Sequence, residues 1–367
     1  MSLLMRMMQE PFFREKQILI IDQSNKTTND RTWCFWETEA GIFESIVQHQ
    51  WAKANFYSNG FSATLALFPY QYKMIRGIDL YSLVKQEAAK RTNIEWRQEK
   101  VVAIDGEKAT VILETEIVSA KWIFNSILFD KNPLTTPGAK GYYLLQHFKG
   151  WMIETEEDSF DPSIATYMDF RVSQDAGTTF MYVLPVTKTK ALIEYTLFTE
   201  KLLAPEQYEN ALKEYISSTL KINTYKIEHE EAGVIPMTNR RFPHQQGRAV
   251  YMGIAGGQAK GSSGYAFQFI QKRTAAIIAG LVAGTNRFNR QSFNDKKFHL
   301  YDSVLLNVLH HRKMNGDQIF AAIFQKNPPE RVLRFLDNET TVWEDLQIMQ
   351  SVPAGIFLPS ALQEMIS

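Results

Sequence analysis

The sequence predicts an α/β (α+β) fold in which an antiparallel sheet is set into an α/β layer. Three stretches carry that expectation. Residues 17–22, QILIID, form a short continuous apolar run closed by an acid, the pattern of a buried parallel strand. Residues 142–198 divide into four strand-like runs, YYLLQHFKGWMIET, ATYMDFRVS, TTFMYVLPV and ALIEYTLF, separated by Gly, Asp and Ser as in an antiparallel sheet. Residues 250–273 run from a strand through Gly253, Gly256, Gly257, Gly261 and Gly264 into a helix.

Composition sets the outer bounds. A chain of 367 residues exceeds the usual single domain, so two domains or one two-part unit are expected. Hydrophobic residues at 45% and charged residues at 22% describe a globular protein. Lys+Arg and Asp+Glu both count 40, and no basic stripe is interleaved with aromatics, which argues against a nucleic-acid partner. The single cysteine, Cys34, excludes an intrachain disulfide and a cysteine-rich metal site, and is compatible with a reducing compartment. His310 and His311 are adjacent, and neighbours on a helix diverge by about 100°, so they do not make a metal pair. No metal is assigned. No run is long and apolar enough to span a bilayer.

The chain opens with MSLLMRMMQEPFF, an amphipathic helix ending near Pro11 and lacking the basic start and cleavage site of a signal peptide. A helix, a buried strand and an acid at its carboxyl end make the second half of a dinucleotide-binding βαβ unit, where the acid bonds ribose hydroxyls. Asp22 is either that acid or an ordinary strand-ending one. Residues 29–37, NDRTWCFWE, set Asp30 and Arg31 beside Trp33, Phe35 and Trp36, aromatics suited to a core or to the wall of an apolar pocket. Residues 50–72 read as a small hairpin. Residues 72–81 then enter a helix that runs through Lys90, with Asp79 as N-cap and Arg76 before it, placed to meet a carboxylate or a phosphate.

Short strands follow at residues 94–96, 100–104, 109–115 and 120–127, with Asp105-Gly106 as a hairpin turn. Asn132, Pro133, Pro137 and Gly138 mark a linker. Beyond the sheet, residues 205–220 form a helix with Tyr208, Leu212, Tyr215 and Ile216 on one side, and residues 225–235 return as a strand. The glycines of residues 253–264 let backbone amides approach a phosphate or a flat ring, or simply make a tight turn. Residues 293–367 are helical with a polar break at Asn327-Pro328-Pro329, a lid or buttress.

The stretch FMYVLPVTKTKALIEYTLF, residues 180–198, reads as a hairpin about a polar turn. In its second strand Ala191, Ile193, Tyr195 and Leu197 share one face; Leu192, Glu194, Thr196 and Phe198 share the other. Glu194 is thus a carboxyl among apolar neighbours. Burial would raise its pKa and keep it protonated near neutrality, as a general acid requires. An edge-strand glutamate facing water is the alternative.

Residues 29–37, FPYQYKMIRGIDLY (68–81), LLQHFKGW (144–151), YMDFR (167–171), this hairpin, GVIPM (233–237) and residues 253–273 together resemble the flavin-dependent lycopene cyclases, the bacterial lycopene beta-cyclases above all. Order and spacing match over nearly the whole chain. The resemblance implies a Rossmann-like FAD-binding architecture of glutathione-reductase type. Residues 1–126 would form the FAD-binding part, 127–236 the antiparallel substrate sheet, 237–285 an FAD-binding return segment and 286–367 a helical region.

It also implies a reaction: non-redox cyclisation of the ψ-ends of lycopene to β-ionone rings, giving γ-carotene and β-carotene. Glu194 matches the proton donor and Asp22 the ribose-binding acid, while Arg76, Gly256, Gly257 and Gly264 fall in flavin-contacting segments. Reduced FAD would stabilise the carbocation, with NADPH as electron source. Trp33, Trp36, Trp151 and Tyr182 are candidates for an aromatic wall that keeps water from the cation, each with ordinary core packing as the alternative. Lycopene resides in membrane, so peripheral attachment at the cytoplasmic side of the inner membrane is implied, through the N-terminal or the C-terminal helices. The family opens with a strand and a G-x-G-x-x-G turn, and this chain starts after both, so weak FAD binding is expected. A redox flavoenzyme of the same fold, such as a prenyl reductase or hydroxylase, and a truncated inactive chain are the competing readings.

Overall fold

Residues Thr178–Pro185 are buried along their whole length, which a strand achieves only inside a sheet covered on both faces. The architecture follows from that strand. The computed structural model describes residues 1–129, 141–288 and 292–366; the linker predicted at Asn132, Pro133, Pro137 and Gly138 lies outside them.

In chain order the first half holds α1 (Ser2–Gln9), β1 (Ile18–Asp22), β2 (Thr32–Glu37), β3 (His49–Trp51), β4 (Lys53–Tyr57), β5 (Ser62–Ala66), β6 (Gln71–Arg76) and α2 (Gly77–Ala89). Then come β7 (Ile94–Gln98), β8 (Val101–Asp105), β9 (Thr110–Leu113), β10 (Ile117–Ser119) and β11 (Ile123–Asn125). The second half holds β12 (Tyr143–Glu154), β13 (Ile164–Asp169), β14 (Thr178–Pro185), β15 (Lys190–Thr199), α3 (Pro205–Glu214), β16 (Lys226–Thr238), β17 (Gln245–Gln246), β18 (Ala249–Tyr251) and α4 (Phe267–Val282). Helices α5 (Phe293–His310), α6 (Gly316–Lys326), α7 (Pro329–Leu336), α8 (Val342–Met349) and α9 (Ala354–Ile366) follow.

A seven-stranded sheet in the order β16-β12-β15-β14-β13-β4-β5 dominates. On one face Trp151, Ile153, Met181, Val183, Ile193 and Tyr195 pack against Tyr208 and Leu212 of α3. On the other, Phe180, Tyr182, Leu184, Leu192 and Phe198 meet Trp36, Tyr72, Phe320 and Phe324. Strand β15 lies between β12 and β14, so Glu194 is not on an edge strand. The hairpin predicted within residues 50–72 forms as β4 and β5, and β4 pairs in parallel with β13. Residues 53–66 therefore belong to the large sheet.

The parallel element is split. β1 pairs with β7, Ile18 opposite Ile94, and β11 pairs with β18, Ile123 opposite Ala249. The two pairs share no ladder but feed the same apolar clusters, Ile18 with Phe124 in one and Ile21 with Ile123 in another. All five residues of β1 are only half-buried, less than its apolar run predicts, because among the described residues β1 has a single strand neighbour.

Two further expectations change. In α1, Leu3, Leu4, Met5, Met7 and Met8 are all buried, against α4 and α2, so this helix offers no apolar rim to a membrane. Helix α2 begins at Gly77, and Asp79 lies in its first turn instead of capping it. The loop before β2 does the capping: Gly77 N–H donates to the Arg31 carbonyl at 2.8 Å and Ile78 N–H to Asn29 Oδ1 at 3.3 Å.

Candidate active site

Strand register builds the site. Glu194 on β15 lies opposite Gly150 of β12 on one side and Tyr182 of β14 on the other. Gly150 in turn lies opposite Glu231 of β16. Four adjacent strands thus present Glu231, Gly150, Glu194 and Tyr182 in one row on one face. Gly150 leaves the space between the two acids open: a Cβ there would stand 3.3 Å from Glu231 Cγ and 3.5 Å from Glu194 Cβ.

Strand β2 crosses above this row. Alternation turns Thr32, Cys34 and Trp36 toward it and Trp33 and Phe35 away. Thr32 Oγ1 donates to Glu231 Oε2 at 2.7 Å, and Thr196 Oγ1 donates to Glu194 Oε1 at 2.9 Å. Three tyrosine hydroxyls join on this face: Tyr265 bonds Tyr167 at 2.5 Å and, at 3.2 Å, Tyr182, the cross-strand partner of Glu194. Trp36, only 2% exposed, sets its ring edge-on to Tyr265 at 4.8 Å and to Tyr167 at 6.4 Å. Tyr72 meets Tyr167 edge-on at 5.5 Å. The result is a cluster of aromatic side chains on the sheet face that carries Glu194.

The electrostatics follow from burial. Glu194 is half-buried, and its carboxyl is pushed up to about 8, by desolvation first, by the nearby Glu231 second, and against the Thr196 hydrogen bond. Glu231 is raised as well, mainly by burial, against the hydroxyl and backbone amide of Thr32. The Cys34 thiol is raised by burial and then by both glutamates. A further acid approaches from the C-terminal helices: Asp337, at the end of α7 and 6% exposed, shares a small cavity with Cys34, Trp36, Tyr265 and Gln268. Burial raises it to about 7, against Lys272.

The glycine turn adjoins the same face. Gly264 has φ +71°, and a Cβ on it would fall 1.8 Å from Gln146 Oε1 of β12. A Cβ on Gly256 would fall 2.5 Å from the Tyr251 carbonyl oxygen. Around this turn Gln146 Oε1, Gln258 Oε1 and Ser263 Oγ are buried without a hydrogen-bond partner among the described residues.

The predicted site residues therefore separate. Glu194, Tyr182 and Trp36 come together, with Gly264 beside them through Gln146 and the adjoining Tyr265; Gly256 and Gly257 stand at the other end of the same turn, after β18. Trp151 does not join them. It lies next to Gly150 in sequence and so on the opposite sheet face, packed toward α3. Trp33 points away too, its ring 5.8 Å from Phe267. Asp22 ends β1, where its carboxylate accepts from Ser24 N–H at 2.8 Å and pairs with Lys26 at 3.3 Å. Arg76 is half-exposed and its guanidinium is held by Asp79 at 2.7 and 2.8 Å. Sequence reasoning did not single out Glu231, Cys34, Tyr72, Tyr167, Tyr265 or Asp337. Tyr167 and Glu231 do lie in or beside the YMDFR and GVIPM segments. A surface groove of about 520 Å³ between α1 and α4, lined by Arg6, Gln9, Glu10 and Val282, contains none of these residues.

A model of the lycopene cyclase protein family matches residues 13–361. The chain belongs to the lycopene cyclase family. Solved structures give the same fold at low identity. A flavoprotein/dehydrogenase from Cytophaga hutchinsonii aligns with TM-score 0.61 and 11% identity over 100% of this chain and 96% of its own. A geranylgeranyl bacteriochlorophyll reductase-like protein from Thermoplasma acidophilum aligns with TM-score 0.58 and 13% identity over 99% and 95%. A flavin-dependent brominase aligns with TM-score 0.56 and 13% identity over 97% and 91%. The chain thus has the fold of FAD-binding flavoproteins, with its aromatic cluster where the large sheet faces β2 and the glycine turn.

Proposed function

We propose that the protein is a lycopene beta-cyclase in which Glu194 is the proton donor. The observation that carries this reading is a half-buried carboxyl raised to about 8, paired across the strands with Tyr182 on the sheet face where Trp36, Tyr72, Tyr167 and Tyr265 cluster. The proton on Glu194 adds to the terminal double bond of a lycopene ψ-end and leaves a tertiary cation. The neighbouring double bond closes the ring onto it, and the resulting cation loses a proton to give the β-ionone ring. Bonds and electrons balance without an oxidant. The ring faces offer quadrupole attraction to the cation, and a dry pocket prevents its capture as an alcohol.

Features of the chain support a flavin beside this pocket. The unpartnered Gln146 Oε1, Gln258 Oε1 and Ser263 Oγ offer hydrogen-bonding groups along the turn, and Gly264 leaves backbone uncovered there. Reduced FAD, when bound, supplies negative charge near the cation, with NADPH as the source of its electrons. Asp22 would hold the ribose after exchanging its Lys26 and Ser24 partners.

Lycopene is a hydrocarbon, so the enzyme must work at a lipid surface. No helix among the described residues is long and apolar enough to cross a membrane. We assign membrane contact to the exposed apolar residues Trp343 and Leu346 of α8 and Leu358, Leu362 and Met365 of α9. Chromatography of carotenoids from lycopene-making cells expressing the protein tests the activity. β-Ring products support it; lycopene left unchanged, or converted to reduced or hydroxylated products, favours a redox flavoenzyme of the same fold.

A further inference from the structure

Glu231 has no part in the chemistry above, yet the fold holds it at the acid. Its strand is separated from that of Glu194 only by β12, and the residue between them is Gly150, which carries no side chain to part them. The two carboxyls are not held alike. Glu231 accepts from the Thr32 hydroxyl at 2.7 Å, and the Thr32 amide and the Arg31 guanidinium also favour its charge. Glu194 accepts from the Thr196 hydroxyl. Two carboxyls this close, Glu231 buried and Glu194 half-buried, do not both ionise readily, and a shared proton stays on the one with fewer donors.

We infer that Glu231 is a positioning residue for the proton donor: anchored to β2 by Thr32, it carries the negative charge of the pair and so keeps the proton on Glu194 between turnovers. This rests on Glu194 as the donor. The other groups facing the pair do not do the same work. Cys34 on β2 and Tyr182 on β14 are neutral, their protons held by burial. Asp30 opposes and Arg31 favours the charge on Glu231, from the loop before β2.

The test is a pH–rate profile of cyclisation in lycopene-loaded vesicles with reduced FAD, for the wild type and for Glu231→Gln, Thr32→Val and Glu194→Gln. Glu231→Gln removes the charge but keeps the shape. The descending alkaline limb should move down by about one unit, so the rate above neutrality falls roughly tenfold and recovers at lower pH, with KM unchanged. Thr32→Val weakens the anchor and should move the limb the same way by less. Independently of activity, carboxyl ¹³C NMR of glutamate-labelled protein should show Glu194 titrating in two coupled steps in the wild type and in one lower step in Glu231→Gln. If Glu231→Gln folds poorly, the two-step titration of Glu194 in the wild type and its shift in the milder Thr32→Val carry the test. An unmoved limb and an unmoved Glu194 titration overturn the proposal. So does a folded Glu231→Gln that is inactive at every pH, which would make Glu231 a direct reactant. Activity in Glu194→Gln would instead overturn the donor assignment itself.

Discussion

Glu194 and Tyr182 are direct cross-strand partners, yet the Tyr182 hydroxyl turns to Tyr265 at 3.2 Å, leaving the Thr196 hydroxyl as hydrogen-bond donor to the acid. A carboxylate at this position would therefore be poorly satisfied. The structure favours the protonated form, and this has a cost that depends on pH.

That cost has a definite sign. Glu194 is raised from 4.5 to about 8 in the folded protein. Below the unfolded value both states hold the proton. As pH rises toward 8, the folded state keeps a proton that the unfolded state has lost, so stability falls. Glu194→Gln should match the wild type near pH 4.5 and exceed it near pH 9 by a few kcal/mol, at most about 5 for the full shift and less because the half-buried carboxyl is screened by solvent. Denaturant unfolding at the two pH values checks this; a pH-independent difference contradicts it. Asp337, raised to about 7, carries the same sign, and Asp337→Asn should show the same pattern over a lower window.

The two faces of the sheet should respond differently to loss of an indole. Trp36→Leu removes a ring that faces Tyr265 and should lower turnover by tenfold or more, on the order of 1.4 kcal/mol of barrier. Trp151→Leu should cost about 2–3 kcal/mol of stability and leave the turnover of folded protein unchanged. Carotenoid assays normalised to folded protein separate the two effects. Equal losses of turnover would mean that the pocket is not confined to the Glu194 face.

Gly264 and Gly284 make a matched pair. Both have positive φ, +71° and +73°, but a Cβ meets Gln146 Oε1 at 1.8 Å in the first and nothing within 4 Å in the second. Gly284→Ala should cost about 1 kcal/mol from backbone strain alone. Gly264→Ala should cost more and weaken flavin binding at least tenfold, measured by flavin fluorescence titration. Equal flavin affinity in both variants would separate the turn from the cofactor.

Membrane contact can be read without activity. Leu358→Asp with Leu362→Asp, on the exposed side of α9, should reduce co-sedimentation with phospholipid vesicles several-fold while leaving the melting temperature unchanged. The same substitutions leaving vesicle binding intact would move the contact elsewhere.

Much of the fold was legible because local pattern states which face a residue takes. Alternation in residues 191–198 separated Glu194, Leu192 and Phe198 from Ile193 and Tyr195, and the structure keeps that division. Alternation does not state what covers each face. It placed Glu194 on a strand but not between β12 and β14, and it did not say that Trp151 would fall behind the sheet while its neighbour Gly150 faced the acid. Register between strands distant in sequence decides both. Glu231 and Tyr265 were illegible for the same reason: each reaches the pocket through tertiary packing that no short motif encodes. Asp79 was misread because the caps for α2 come from Asn29 and Arg31, far away in sequence.

The donor role of Glu194 is tested most directly by carotenoid chromatography of lycopene-accumulating cells expressing either the wild type or Glu194→Gln at equal protein levels. The expected result is β-ring carotenoids from the wild type and unchanged lycopene from the variant, with both proteins folded. Near-normal β-ring formation by Glu194→Gln would contradict it and remove Glu194 from the mechanism.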